Sequence, residues 1–331
     1  MTVLTSATAP PEARGLRRDE VRLVVATVDG ITETAFHELG EHLAPGDLVV
    51  VNTSRTLAAA VDGARASGEL VTVHLATRHD DDTWSVEVRP RVGATGPVTD
   101  IAVGETLQLH EATLTVLTTP PGQHRLHRAE LDRPVAELMW DHGRPIRYGY
   151  VPHPWPLEAY QTVFAVEPGS AEMPSAGRPF TAEVVLDLVR RGVLVAPVTL
   201  HAGVSSQEAG EPPQPERYRV PVTTASLVNH VRRTGGRVVA VGTTVTRALE
   251  SAVDDDGLVQ AADGWTDLVL GPSRPARVVT GLVTGWHEPG ASHLDLLRAV
   301  AGEAMVAAAY DEAHRLGLLW HEFGDSCLLL P

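Results

Sequence analysis

The period of the apolar residues changes along this chain, and one layer of structure cannot satisfy both periods. From about Leu57 to His142, short segments alternate apolar with polar residues, as in Leu70-Val71-Thr72-Val73-His74-Leu75, Trp84-Ser85-Val86-Glu87-Val88 and Ala112-Thr113-Leu114-Thr115-Val116-Leu117. A period of two puts every second side chain on one face of a strand, and the bounding Gly, Pro, Asp and other polar residues supply the turns. Only one weak helical stretch, Ala129 to Trp140, interrupts the alternation. A small antiparallel β-barrel is expected over residues 57–142.

The flanks read differently. Thr181 to Arg191 places Val184, Val185, Leu188 and Val189 at helical spacing and stops at Gly192, after which Val193 to Leu200 reads as a strand. The pattern then repeats. Ala225 to Arg233 is helical and closes at Gly235-Gly236, Arg237 to Val241 is an apolar strand, and Thr243-Thr244 are placed to cap a helix through Ser251. Arg277 to Val283 reads as a strand, Thr284 to Ser292 as a loop, and two helices run to about Leu316. The expectation is an α/β fold: residues 1–56 and 143–331 form a larger domain with a mainly parallel sheet, and the barrel is inserted into it. Ligands of such sheets bind at the C-terminal ends of the strands, so function is sought in the loops there.

Composition removes several classes of chemistry. All 27 basic residues are arginine, which excludes a lysine Schiff base and a Walker-type phosphate loop. Cys327 is the single cysteine, so an internal disulfide and any multi-cysteine metal site are excluded. It lies in the apolar run Ser326-Cys327-Leu328-Leu329-Leu330 and reads as a small core residue. His124 with His127, and His314 with His321, lack a carboxylate at ligand spacing, and Asp254-Asp255-Asp256 reads as a solvated turn, so no metal is expected. The formal charge of −15 argues against broad sequence-independent binding of nucleic acid, while leaving room for a local arginine-lined groove. No apolar run approaches the length of a membrane span, and Met1 to Arg18 lacks the apolar centre of a signal peptide. A cytoplasmic protein without a membrane partner is expected, and a monomer, since no heptad marks an interface.

Five loops carry residues suited to chemistry. In Val239-Ala240-Val241-Gly242-Thr243-Thr244, an apolar strand meets a glycine and a helix start, which suits a carboxylate or ribose hydroxyls; the same residues also serve a plain capped helix. Met173-Pro174-Ser175-Ala176-Gly177-Arg178-Pro179-Phe180 offers small residues against which a flat base or sugar can lie, or a simple helix entry. His201, in Thr199-Leu200-His201-Ala202-Gly203-Val204-Ser205, stands where a buried strand ends, placed to move a proton or to serve the structure. Thr284-Gly285-Trp286-His287-Glu288-Pro289 sets an imidazole beside a carboxylate and an indole that is free to stack on adenine or meet a sulfonium. Asn52 and Arg55, after the strand Gly46 to Val51, bind a polar edge or tie off a turn.

Taken in this order, these segments resemble the S-adenosylmethionine:tRNA ribosyltransferase-isomerase family of queuosine biosynthesis. The resemblance runs from Gly46-Asp47-Leu48-Val49-Val50-Val51-Asn52 through Tyr160-Gln161-Thr162-Val163-Phe164-Ala165 to Phe323-Gly324-Asp325-Ser326, and Ala240 to Ser251 is its most specific piece. It implies a larger α/β domain with an inserted barrel. It also implies that S-adenosylmethionine gives its ribosyl part to 7-aminomethyl-7-deazaguanine in the anticodon stem-loop of a tRNA, with rearrangement to epoxyqueuosine and release of adenine and methionine. His201 or His287 would handle protons. Asn52, Arg55, Ser175, Ala176, Gly177, Gly203, Gly242, Thr243, Thr244, Arg247, Glu250, Pro289 and Asp325 would bind S-adenosylmethionine, used as co-substrate.

The chain departs from the family at several of these places. The usual Thr-Ala-Gly-Leu-His-Phe is Ser175-Ala176-Gly177-Arg178-Pro179-Phe180, and Asn-Asp-Thr-Arg is Asn52-Thr53-Ser54-Arg55. Leu-Gly-Thr-Phe gives way to Val204-Ser205-Ser206-Gln207, and Asn-Phe-His-Leu-Pro to Gly285-Trp286-His287-Glu288-Pro289. Two further readings therefore stay open: a divergent relative that uses S-adenosylmethionine on another, small-molecule acceptor, and a catalytically silent nucleoside- or RNA-binding protein with the same fold.

Overall fold

Leu48–Asn52, five consecutive buried residues, is an inner strand of the larger sheet. The structure is a computed structural model that describes residues 5–91, 96–120, 124–204, 214–288 and 292–331. Across the sheet the strands run Ala262–Thr266, Glu216–Val220, Leu194–Leu200, Leu48–Asn52, Val238–Val241, Gly281–Gly285, Ser326–Leu330, Arg22–Thr27 and Gly30–Ala35. Leu194–Leu200, Leu48–Asn52, Val238–Val241 and Gly281–Gly285 pair in parallel, as the alternation of strand and helix predicts.

The sheet is nevertheless mixed. Ser326–Leu330 enters antiparallel to Gly281–Gly285 but parallel to Arg22–Thr27, and antiparallel partners close both edges. Antiparallel partners need no crossover helix, and at one edge Val28 and Asp29 alone join Arg22–Thr27 to Gly30–Ala35, whereas at the other Glu216–Val220 and Ala262–Thr266 are joined through two helices and the strand Val238–Val241.

In chain order the helices are α1 (Val135–His142), α2 (Ala182–Arg190), α3 (Val222–Arg233), α4 (Thr243–Ser251) and α5 (Ser292–Leu316). Val228, Val231, Val245, Ala248, Leu249, Leu297 and Ala309 of α3, α4 and α5 pack in one cluster with the strand residues Leu48, Val50, Val198 and Ala240. The other face carries a second cluster, in which Val184 and Leu188 of α2 meet Val49, Val51, Val239 and Val241. Gly302, with φ +75° inside α5, breaks that helix into the two segments the pattern predicts.

Three local expectations change. The weak helical stretch from Ala129 divides into a strand, Leu126–Leu131, and α1, because Pro134 supplies a helix start. The strand expected from Arg277 begins only at Gly281, since the N–H groups of Arg277, Val278 and Val279 donate to the Glu250 carboxylate instead of to a neighbouring strand. Gly242, and not a threonine hydroxyl, stands at the N-cap of α4.

The barrel closes through Ala112–Thr118, Leu126–Leu131, Trp84–Pro90, Leu70–Arg78, Ala60–Arg65 and Thr106–Leu109, every pair antiparallel. Val71, Val73, Leu75, Val86, Val88, Leu107, Leu109 and Leu114 fill it, with Leu138 and Met139 of α1 in the same cluster. Entry and exit lie side by side: Ala60 N donates to Arg144 O at 2.9 Å, and Arg144 N to Ala60 O at 3.0 Å. Chain ends that meet in this way let a closed unit sit in a loop of another without disturbing its sheet.

Candidate active site

A cavity of about 650 Å³ opens where the parallel strands end. Its walls come from five directions: Gly242, Thr243, Thr244 and Arg247 of α4, Gly203 after Leu194–Leu200, Thr284 to Glu288 after Gly281–Gly285, Ser175 and Ala176, and the segment Pro145 to Tyr150 that follows α1. His293, His321 and Glu322 complete it. This is the position that ligand sites of open α/β sheets occupy, and the volume falls within the roughly 300–1,000 Å³ of small-molecule sites.

Gly242 has φ +92°, and a Cβ there would stand 3.3 Å from the Cβ of Ala176. Both facts demand glycine, and they bring the Ser175-Ala176 segment directly onto the start of α4. No side chain caps that helix start, so its first-turn N–H groups and the positive end of its dipole face the cavity as an anion or hydroxyl site. Thr244 Oγ1 accepts from Asn52 Nδ2 at 3.2 Å.

Arg247 is buried and already heavily engaged. Nε donates to Leu268 O at 3.1 Å, Nη2 to Thr266 O at 3.2 Å and Gln214 O at 3.3 Å, and Nη1 to the Glu216 carboxylate. The guanidinium therefore holds the cavity wall together first and has at most one N–H left for a ligand. Burial pushes the Glu216 carboxyl up from its ordinary range, against the Arg247 charge.

His287 has the geometry of a base. Thr284 Oγ1 donates its hydrogen to Gly285 O at 3.1 Å, so its oxygen accepts from His287 Nε2 at 3.2 Å, which leaves the Nδ1 lone pair free. The ring stacks on His293 with centroids 4.4 Å apart. Burial, and then the neighbouring His293 and His321, push the imidazole well below its usual range, which keeps it neutral. Burial likewise holds His293 down at about 4.

Among the described residues, the remaining predicted catalytic and binding residues do not line the cavity. His201 stands beneath Gly169, with Nδ1 2.8 Å from Ser54 Oγ, itself 2.6 Å from Ser170 Oγ. Asn52 is engaged with Leu200 N and O and with Ser54 N. Glu250 accepts from three backbone N–H groups as described above, and Asp325 from Arg22 N and Leu319 N. Arg55 is exposed, and Gly177 is buried behind Ala176. Pro289 and Ser205 lie outside the described residues. At the positions of departure, Thr53 bonds to Val198 O, Pro179 is buried, and Arg178 pairs with Glu12 and lies 5.0 Å over the Phe323 ring. The indole of Trp286 is 1% exposed, and its ring meets Tyr310 and Trp320, so it belongs to the core and reaches the cavity by one edge.

Sequence reasoning missed the other wall. Tyr148 donates to Glu172, Tyr150 to Glu322 at 2.5 Å, and the His321 ring stacks on Tyr150 at 4.1 Å. These residues sit in irregular segments without period, and only the folded chain brings them together.

The chain matches the family described as queuosine biosynthesis protein over residues 4–329. It is 34% identical over 324 residues to the S-adenosylmethionine:tRNA ribosyltransferase-isomerase of Moorella thermoacetica, covering 95% of this chain and 94% of the relative. To the enzyme of the same name from Symbiobacterium thermophilum it is 35% identical over 329 residues, with the same shares covered. The crystal structure of S-adenosylmethionine tRNA ribosyltransferase from Thermotoga maritima superposes with a TM-score of 0.54 at 28% identity, covering 98% of this chain and 96% of that one. The match along nearly the whole length, in sequence and in structure, places this chain in the queuosine biosynthesis protein family.

Proposed function

We propose that the protein transfers and isomerises the ribosyl moiety of S-adenosylmethionine onto 7-aminomethyl-7-deazaguanine in tRNA, giving epoxyqueuosine with release of adenine and methionine. The observation that supports it best is the cavity, which sets an uncapped helix start and a neutral imidazole around one space of suitable size. Gly242, Thr243 and Thr244 hold the carboxylate or ribose hydroxyls of the donor, Ser175 and Ala176 lie against its flat part, and Arg247 keeps the wall in place.

The sulfonium acidifies the adjacent C5′ hydrogens, so a neutral base in contact with them is the first requirement. We assign that base to His287 through Nδ1. His201, bonded to Ser54 and packed on Gly169, keeps the strand end and the cavity floor in register, a positioning role. Water would reprotonate the ylide-like carbanion, and Tyr148, Tyr150, Trp286 and Leu296 supply apolar surface that keeps it out.

The test is acceptor-dependent release of adenine. Protein, S-adenosylmethionine and tRNA carrying the aminomethyl-deazaguanine are incubated together, and adenine is quantified. Release only with that tRNA is expected. Release with a free small amine instead would point to another acceptor, and no release with either would remove the reading.

A further inference from the structure

Two carboxyl groups in the cavity wall have no part in the donor chemistry above. Glu322 accepts from Tyr150 Oη and Glu172 from Tyr148 Oη, so one short segment after α1 supports both. Burial raises the Glu322 carboxyl above its ordinary range, although Tyr150 and the charge of Arg178 favour its ionised form. The backbone beneath it is set by His321, a non-glycine residue at φ +71° whose ring is fixed on Tyr150. Such conformations persist where the surrounding structure imposes them, and they gather at functional sites.

A second observation marks the same wall as polar and unsatisfied. Tyr160 is 4% exposed and lines the cavity beside Glu322, and among the described residues its hydroxyl has no hydrogen-bond partner. The charge of Glu322 reaches it, adding to burial in pushing the phenol up to about 12. Buried polar atoms are nearly always paired, so this hydroxyl is suited to a polar ligand. Carboxylates shouldered by phenols match a cation rich in N–H donors, whereas the α4 start matches an anion.

We propose that Glu322, with Glu172 beside it, forms the subsite for the primary ammonium of the acceptor, and that Glu322 takes the proton that must leave before the nitrogen can attack. The inference rests on the proposed transfer to an amine. In the step, R–CH2–NH3+ gives one proton to the Glu322 carboxylate; the N–H electron pair stays on nitrogen as the nucleophilic lone pair, and Glu322 becomes the neutral acid. No oxidant or reductant enters.

The probe is tRNA bearing 7-aminomethyl-7-deazaguanine at saturating S-adenosylmethionine, with adenine release followed from about pH 6 to about pH 9 and donor affinity measured by calorimetry. Glu322→Gln is expected to lower kcat/KM for the tRNA about 100-fold near pH 7 and to recover toward wild type at the alkaline end, where solution supplies the free amine. The donor Kd should move less than about twofold, which also shows that the variant is folded. Glu172→Gln, on a separate segment, should raise KM for the tRNA with a smaller change in kcat. An unchanged pH profile and KM in both variants overturns the proposal. So does a loss confined to donor affinity, which would give the carboxyls to the donor's own ammonium. A wild-type protein that releases no adenine with this tRNA fails the functional reading itself, an outcome separate from an active wild type with indifferent variants.

Discussion

At the scale of single residues, the site depends on a few side chains whose alternatives are physically closed. Gly242 combines a left-handed backbone with a contact to Ala176, so Gly242→Ala strains the start of α4 by about 1–2 kcal/mol. Weaker donor binding in calorimetry is the expected result, and unchanged affinity would show that the helix start is not the donor site. His287→Ala should lower the rate of adenine release by about 100-fold or more while leaving donor affinity nearly intact. His201→Ala should act mainly on thermal stability. The imidazole of His287 is neutral because its pKa is depressed, so its protonation sets an activity limb on the acid side of the usual histidine value of about 6.5. A pH–rate profile that falls away already above that value would contradict this assignment. Asn52, Glu250 and Asp325 show why site residues are hard to read from a string. Polar side chains at strand ends look like ligand contacts, yet all three are engaged with backbone N–H groups of neighbouring segments.

At the scale of elements, the barrel carries a polar cluster that its alternating pattern does not announce. Glu87 is 0% exposed and accepts from Arg125 at 2.7 Å and Arg89 at 3.1 Å, with His74 Nδ1 at 3.2 Å. Burial alone would raise the Glu87 carboxyl, but His74 and the two arginines outweigh it and hold it at about 2. Burial depresses His74 as well. Both groups therefore bind their protons less readily in the folded than in the unfolded chain. The stability they contribute is complete above about pH 6.5 and is lost as pH falls through the unfolded values toward about 2. Thermal melts at descending pH should show this decline, and Glu87→Ala should remove about 3–5 kcal/mol at neutral pH by taking the carboxylate out of a buried charged cluster with Arg125, Arg89 and His74. In α5, Gly302→Ala places a Cβ at φ +75° and should cost about 1–2 kcal/mol in denaturant unfolding. A neutral effect there would mean that the two helical segments can merge.

At the scale of the whole molecule, a chain of net charge −15 has to meet a polyanion if its acceptor is tRNA. Long-range repulsion then opposes encounter, and salt screens repulsion and local arginine contacts alike. The salt dependence of tRNA association should therefore be shallow, and a steep loss of affinity with rising salt, as in basic RNA-binding proteins, would show that a concentrated arginine groove dominates. Among the described residues no helix is long and apolar enough to cross a membrane. The sequence by itself determined the two periods of apolar residues, and through them a barrel beside a larger sheet, because period follows directly from how strands and helices present side chains to a core. It also marked the α4 start, since glycine before a helix is a local signal. Tertiary structure alone decided the rest of the cavity. Tyr148, Tyr150, Tyr160, Glu172 and Glu322 come from loops that carry no period, and His201 and His287, alike in the string, separate into a residue under the floor and one in the wall. Those outcomes depend on which loop ends meet across a mixed sheet, which no short stretch of sequence encodes.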